Sequence, residues 1–599
     1  MRTDLMSLHG FRNFTSLVLL VSLGCGSPPK SGAAAAMAGA SGASGAAHGG
    51  DSGGHAGTQP VTAGAPATGG IGGGSGASAM APERPCEATP PGDIVFSPAS
   101  GSFQGSVTVA LSSSAATHEL RYTTDHTAPT ATSPLYTAPL MFQTSTDLRV
   151  QVFAQGAAVG APSGAVYVSR DGDATHDLPV LVLDSFGQVP SADVNERDYL
   201  DVAVLGLELE QGATSLAALP SVAVQGAFHV RGQSSARYDK KPYRLELRAA
   251  TMEDRDCPMF GMPSESDWVL HAPFPDKALI RNAFTYALGR DMGLSAPRAA
   301  FVELYVNSDG QGVDSADYQG VYLLVETIKN HKSRLNLQQL KEADTMLPDL
   351  AGGYIFKFEW QVMDLEQPLP CPSGQANCWN FIDVVDPKPW VPEQQQYLTQ
   401  HLQQVVTALH SAAPADAASG YPAFLDVDSF VNTVIINELT RNLDAYVRSH
   451  YLHKDRDGKL TAGPLWDFDL IAGVGATSAN SSNLETTGFQ YEASEQRLSV
   501  TADWYPLLLA DAAFKARLVA RYKELRQGAL SDAQISSRIT ALTTGLAGGA
   551  TRNFQKWDNL TTQRIGFFQT PTADSWEGQV TAMRTWLTAR LAWLDTQWL

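Results

Sequence analysis

The chain has 599 residues, a formal charge of −19 and 61 acidic against 42 basic side chains. That balance excludes sequence-independent nucleic-acid binding, which needs clustered cations to displace phosphate counterions. Charged residues are only 17% and Gly numbers 52, so part of the chain is low in complexity, whereas 44% hydrophobic residues with 11 Trp and 18 Tyr exclude a wholly disordered protein.

Residues 1–25 read as a secretory signal. Arg2 and Arg12 give a basic start, and Phe14 to Leu23 is an apolar run too short to span a bilayer permanently. The run ends at Leu23-Gly24-Cys25, which resembles a bacterial lipobox with Ser22 where Leu is usual. Lipidation of Cys25 would contact membrane lipid, and Gly26 in place of Asp does not signal inner-membrane retention. The expectation is an exported outer-membrane or cell-surface lipoprotein; the other reading is an ordinary cleaved signal with an incidental Cys. Residues 26–87 form a linker, in which residues 31–80 hold 37 Ala, Gly or Ser in 50. Such a stretch cannot bury enough surface to offset its chain entropy.

Short alternating segments follow over residues 88–172: SVTVALSS, HELRYTTD, LRVQVFAQ and GAVYVSR, separated by Gly, Ser, Pro and Asp turns. This spacing predicts a small β-sandwich. RYTTDHTAPTATSPLYTAPLMF resembles the chitobiase/β-hexosaminidase C-terminal-like domain. Tyr122, Asp125, Pro129, Thr130, Ser133 and Tyr136 match its motif, and His126 replaces a turn Gly. The resemblance implies a spacer module for which glycan contact is an option.

From 178 to 599 the pattern predicts one α+β unit. Strands are expected at LPVLVLD, AFHVRG, PYRLELR, FVELYV and GVYLLVE, the last two paired. A helix is expected in KALIRNAFTYALGRDMG ending at Gly293, a hairpin in HYLHKDRDGKLTAGPLWDFD, and mainly helix over 490–599. Trp586, Leu587, Leu591, Trp593 and Leu594 recur at helical spacing and predict a core face. Cys371 and Cys378 bracket a short loop that they could close in an oxidising compartment, whereas Cys86 and Cys257 are either free or paired across domains. No Cys/His spacing suggests structural zinc.

The segments RGQSSARYDKKPYRLEL, SDWVLHAPFPDKALIRNAFTYALGRDMGLSAPR, YQGVYLLVETI, INELTRNLDAYVRSHYLHKD and GPLWDFDLIAG resemble, in order, those of the CotH kinase family. The resemblance implies an atypical protein-kinase-like domain that takes ATP and Mg²⁺ (or Mn²⁺) and phosphorylates Ser or Thr of secreted or surface proteins. Phosphoryl transfer needs a cation on the phosphates, carboxylates on the metal and a carboxylate to position the hydroxyl. Asp444 matches the catalytic acid. Asp467 and Asp469, two apart, would share one face of an extended segment and hold metal, with Trp466 and Phe468 anchoring the other face. Ser449 stands five residues after Asp444, where the family tends to carry a metal-binding Asn. Tyr243, Leu245 and Leu247 share a strand face; Lys241 has their parity and would point inward to meet phosphate, while Lys240 points out with Arg244 and Glu246. Ser234 and Ser235 follow Gly232 in a loop that could cradle phosphate or be a plain hairpin loop. Glu326 could pair with Lys241 or sit near adenine, and Arg281, beside Asn282 on the first helix, is a nucleotide-facing or structural candidate. Ser449 also leaves room for a second reading, a non-catalytic surface or coat protein of the same fold that binds a protein or glycan.

Overall fold

The computed structural model describes residues 86–87, 94–114, 118–193, 196–359, 366–375, 377–379, 381–476, 483–493 and 503–599. The chain divides into two units, Met1–Ala79 and Met80–Leu599. Every described residue belongs to the second, so the signal, Cys25 and the tether lie outside the described residues.

Helices and strands are both abundant, as expected for an α+β chain. Their organising element is an eight-stranded sheet in the order Cys86–Glu87, Val222–Val230, Leu200–Leu207, Val180–Asp184, Ala299–Asn307, Tyr318–Glu326, Asp267–His271 and Tyr243–Arg248. The last strand also pairs with Val222–Val230, in register from Val230 opposite Tyr243 to Gln225 opposite Arg248, so the sheet closes into a barrel. Side-chain alternation then sorts each strand. Leu181, Leu183, Phe228, Tyr243, Leu245, Leu247, Trp268, Leu270, Tyr322 and Leu324 fill the interior. The outward faces serve three different neighbours. Val180, Val182, Ala203, Leu205 and Leu207 pack with Val166 and Val168 of the preceding module. Val321, Leu323 and Val325 join the core of the helical half. Arg244, Glu246, Asp267 and His271 face a cleft.

The module before the barrel is a sandwich of a three-stranded and a four-stranded sheet spanning Ile94 to Ser169, filled by Ile94, Val109, Leu111, Leu148, Val150 and Tyr167. It is fixed to the barrel rather than strung ahead of it. Gln225 Nε2 donates to Asp147 Oδ1 at 2.9 Å and Ser145 Oγ to Asp184 Oδ2 at 2.6 Å. His126 takes a left-handed φ of 64°, the conformation for which Gly is the default. Its ring packs tilted against Phe186 with centroids 4.6 Å apart, and its Nδ1 meets Asp147 at 3.1 Å. These contacts give a reason for the departure from Gly. Cys86 is bonded to Cys257, which settles the open alternative in favour of pairing, and Cys371 is bonded to Cys378.

The helical half contains Pro392–Leu409, Val427–Thr440, Ala512–Arg526, Asp532–Thr543 and Trp576–Trp598 around a four-stranded sheet led by Ile382–Asp386, Tyr354–Phe358 and His450–Lys454. Leu587, Leu591 and Leu594 are fully buried and Trp586 and Trp593 pack against the same core. Among the described residues no helix is long and apolar enough to cross a membrane.

Candidate functional site: an acidic and cationic cleft

A cleft of about 830 Å³ separates the outer barrel wall from the helical half. Two segments build its acidic floor. The helix Val427–Thr440 is capped by the Asp426 carboxylate at its start and ended by Arg441 at a left-handed φ of 47°. The chain then turns through Asn442, whose Oδ1 accepts from the Asp444 N–H at 3.1 Å, and presents Asp444 to the cleft. The second segment, Gly463–Gly473, runs alongside. Leu443 N–H donates to the Leu470 carbonyl at 3.2 Å and Ala472 N–H to the Thr440 carbonyl at 3.0 Å. The first helix, Arg281–Asp291, clamps it from behind: Asn282 Oδ1 accepts from Phe468 N–H at 2.7 Å and Tyr286 Oη from Asp467 N–H at 3.2 Å.

Asp444, Ser449, Asp467 and Asp469 therefore line one cleft together with Ser234 and Ser235. Ser449 Oγ donates to Asp467 Oδ2 at 3.3 Å, so the residue five places after Asp444 does reach the first of the paired acids. The WDFD segment is not extended, because Asp467 sits at a φ of 65°. Trp466 consequently lines the cleft beside Asp467, and only Phe468 is a buried anchor.

The acids lie close enough to feel one another. Burial first, then the charges of Asp467, Asp276 and Asp444, hold the Asp469 carboxyl well above the usual carboxylate range. Neither Asp467 nor Asp469 has an ion-pair partner among the described residues. Two carboxyl groups without an ion-pair partner and a hydroxyl form a hard-oxygen donor set that fits Mg²⁺ or Mn²⁺, with Asp469 losing its proton when a cation binds. No group of three or more His, Cys, Asp or Glu poised to hold a metal occurs among the described residues. An ion here would complete its shell with phosphate oxygens and water, as Mg²⁺ commonly does.

Three expected ligands stand elsewhere. Lys241 does not point into the cleft; its Nζ donates to the Ala236 carbonyl at 3.0 Å. Lys240 is the inward residue, 1% exposed, with Nζ 2.6 Å from the Val321 carbonyl and 2.7 Å from Asn553 Oδ1. The strand starts only at Tyr243, after Pro242, so its two-residue parity does not extend back to the lysines. Burial pushes the Lys240 amine well below its usual range, in keeping with its neutral partners. Glu326 is held by Arg298, whose Nη2 lies 2.6 Å from Oε1, and it lines a separate pocket of about 250 Å³. Arg281 is fully buried and structural. Its Nε donates to the Ile471 carbonyl at 2.9 Å and its Nη2 to the Ala472 carbonyl at 3.1 Å, bracing the segment that carries Asp467 and Asp469.

The cleft cation that the sequence reading passed over is Arg231. Most cationic side chains of the cleft wall are already matched to acids: Arg244 to Asp267, Lys329 to Glu265 and Asp267, Lys357 to Glu359 and Asp383, Lys388 to Glu366. Arg231 has no ion-pair partner among the described residues. Its guanidinium lies 5.8 Å from the centre of the Trp466 ring, next to Asp467. It directly precedes Gly232, at a φ of 98°, where a Cβ would lie 2.1 Å from Ser235 Oγ. A tight loop thus brings Arg231, Ser234 and Ser235 into the same cleft as the acids. The signal available in the sequence was position alone, an Arg between a buried strand and a Gly-Gln-Ser-Ser turn. His271, also in the cleft, is pushed down to about 3 by burial, with Arg231 and Lys240 adding repulsion, so its imidazole is neutral.

Barrel, helical half and cleft define an α+β protein in which Asp444, Asp467 and Asp469 share an open cleft with Arg231. The chain belongs to the family described as CotH kinase protein, whose model matches residues 228–594. The sandwich matches the chitobiase/beta-hexosaminidase C-terminal domain over residues 98–163. No curated protein matches the chain.

Proposed function

We propose that this protein is an exported phosphotransferase that moves the ATP γ-phosphate to Ser or Thr hydroxyls of secreted or surface proteins. The observation that carries the reading is the convergence of Asp444, Ser449, Asp467 and Asp469 opposite Arg231 in one cleft. Asp467 and Asp469, with Ser449 beside them, would hold the metal of a metal–nucleotide complex. Mg²⁺, when bound, neutralises phosphate charge as it develops in transfer. Arg231 would meet the phosphates in place of Lys241, since it lies in the cleft beside Asp467 and is engaged in no close ion pair, with the Ser234–Ser235 loop beside it. Asp444 would accept a hydrogen bond from the acceptor hydroxyl and orient it for attack on the γ-phosphorus. The two disulfides suit an oxidising compartment, consistent with a secretory leader.

The test is transfer of labelled phosphate from ATP to a Ser-containing acceptor or to the protein itself, with Mg²⁺ or Mn²⁺. Asp444→Ala and Asp467→Asn should abolish incorporation while leaving the fold intact by circular dichroism. Undiminished transfer in Asp467→Asn, or absence of nucleotide binding by the wild type with either metal, would overturn the assignment.

A further inference from the structure

An apolar patch of the cleft adjoins the acid expected to position the hydroxyl. Leu443 directly precedes Asp444, and Leu470 directly follows Asp469. Both line the cleft and, with Val474, form a small buried cluster separate from the main core. Phe568, from far along the chain, packs on that cluster and also lines the cleft. It is carried by a hairpin, Arg564–Ile565 with Phe568–Gln569. The hairpin is held at three points. Ile565 is 5% exposed. Gln569 exchanges two backbone hydrogen bonds with Gly475, at 2.8 and 3.0 Å. Gly566, at a φ of 56°, lies so near Tyr238 that a Cβ would stand 3.1 Å from its ring. At the turn, beside Phe568, Phe567 is 71% exposed, the one aromatic among the large apolar side chains exposed in the described residues. The hairpin thus fixes Phe568 on the cleft wall and leaves Phe567 exposed one residue away on the turn.

We propose that Leu443, Leu470 and Phe568, extended by the exposed Phe567 on the same turn, form the acceptor-side specificity surface, taking an apolar or aromatic side chain next to the phosphorylated Ser or Thr. The inference rests on the phosphoryl-transfer reading above. An extended chain advances about 3.3–3.6 Å per residue. A hydroxyl delivered to Asp444 therefore brings its immediate neighbours over the residues flanking Asp444 and Asp469. A charged neighbour would be desolvated there against side chains that offer it no partner, whereas an apolar one loses only water.

The test compares two short peptides, one with Leu on both sides of a single Ser and one with Lys, on wild type and Phe567→Ser. Phosphorylation kcat/KM is read together with direct binding by fluorescence anisotropy, which needs no turnover. The Leu peptide should be favoured by at least about tenfold, the usual worth of an apolar contact in specificity. Phe567→Ser should erase most of that preference while leaving the KM for ATP unchanged. Equal use of both peptides, or a preference untouched by Phe567→Ser, overturns the proposal. Binding of the Leu peptide that Phe567→Ser weakens, without phosphate transfer, would uphold the surface and sink the kinase reading instead. A wild type that neither binds nor phosphorylates the Leu peptide sinks the surface.

Discussion

The acidic floor of the cleft is braced by a buried ion pair outside the cleft lining, and removing its cation has a calculable effect. Arg590 and Glu438 are both fully buried. Arg590 donates to the Glu438 carbonyl at 2.8 Å, to the Gly488 carbonyl at 2.7 Å and to the Thr486 carbonyl at 3.1 Å, with the Glu438 carboxylate at 3.5 Å. That carboxylate accepts from Tyr446 Oη at 2.9 Å and from the Gln490 and Tyr491 N–H groups at 2.6 and 3.0 Å. Tyr446 lies two residues beyond Asp444, so the pair fixes the turn that presents Asp444. Burial pulls Arg590 down to about 10 and raises Glu438, each offset by the other. Arg590→Met leaves the carboxylate buried without a cation, a change that costs about 3–5 kcal/mol. At about 2.1 cal/mol/K of unfolding entropy per residue over roughly 500 residues, that is about 3–5 °C in Tm for a cooperative unit. Differential scanning calorimetry measures the shift. The double variant Arg590→Met/Glu438→Gln should recover part of it, because no charge is stranded and the amide oxygen still accepts from Tyr446 Oη and Tyr491 N–H, at the cost of the Gln490 N–H bond. Turnover should fall in the single variant with little change in nucleotide affinity, since Arg231 belongs to the barrel. An unchanged Tm in Arg590→Met, or a double variant no better than the single one, would refute the reasoning.

Other outcomes follow from the same geometry. Asp469 holds its proton more tightly folded than unfolded, so without metal the protein should lose stability as pH rises from the ordinary carboxylate range through the raised folded value. Asp469→Asn should flatten that slope, raise the metal-free Tm near neutral pH and abolish the gain on adding Mg²⁺; thermal melts with chelator and with Mg²⁺ read all three. Arg231→Gln should weaken ATP about tenfold or more, the scale of a charged hydrogen bond, whereas Lys241→Ala should leave calorimetric affinity unchanged. Deleting residues 1–172 uncovers Val180, Val182, Ala203, Leu205 and Leu207, and the product should aggregate on size-exclusion chromatography; a soluble monomer would show that the sandwich is dispensable. Cys86→Ser/Cys257→Ser opens a loop of 171 residues in sequence separation, worth up to about 5 kcal/mol by chain entropy, measurable by denaturant titration.

Patterns confined to one element were legible in the sequence. Tyr243, Leu245 and Leu247 occupy one barrel face because alternation holds within a strand, and the Trp and Leu stripe near the C-terminus packs as its spacing requires. Asp444, Ser449, Asp467 and Asp469 share a cleft as their motifs suggested. What failed was extrapolation across a boundary. Lys241 was assigned a face from a strand that begins two residues later, and the Asp467 turn interrupts a segment whose composition looked extended. What was invisible depends on distant pairing. Arg231 stands out only once the other cations of the cleft wall are seen matched to acids, and Phe567 only once its hairpin is placed against Gly475 and Tyr238. The fixed sandwich likewise had no local signature beyond His126 standing where Gly was expected.

The bond between Cys86 and Cys257 also determines how this protein carries mechanical force. Tension on the chain ahead of Cys86 passes through that covalent link into the barrel, next to the short Cys86–Glu87 strand. The sandwich, whose other end joins the barrel at the Arg170–Val313 bridge, is then a side branch that sees little of the pull. Reduction would reroute the same tension through the sandwich in series, turning a bystander into the first element to yield. Extension at constant force, with and without reductant, would register the change as the appearance of an early unfolding step about the length of that module.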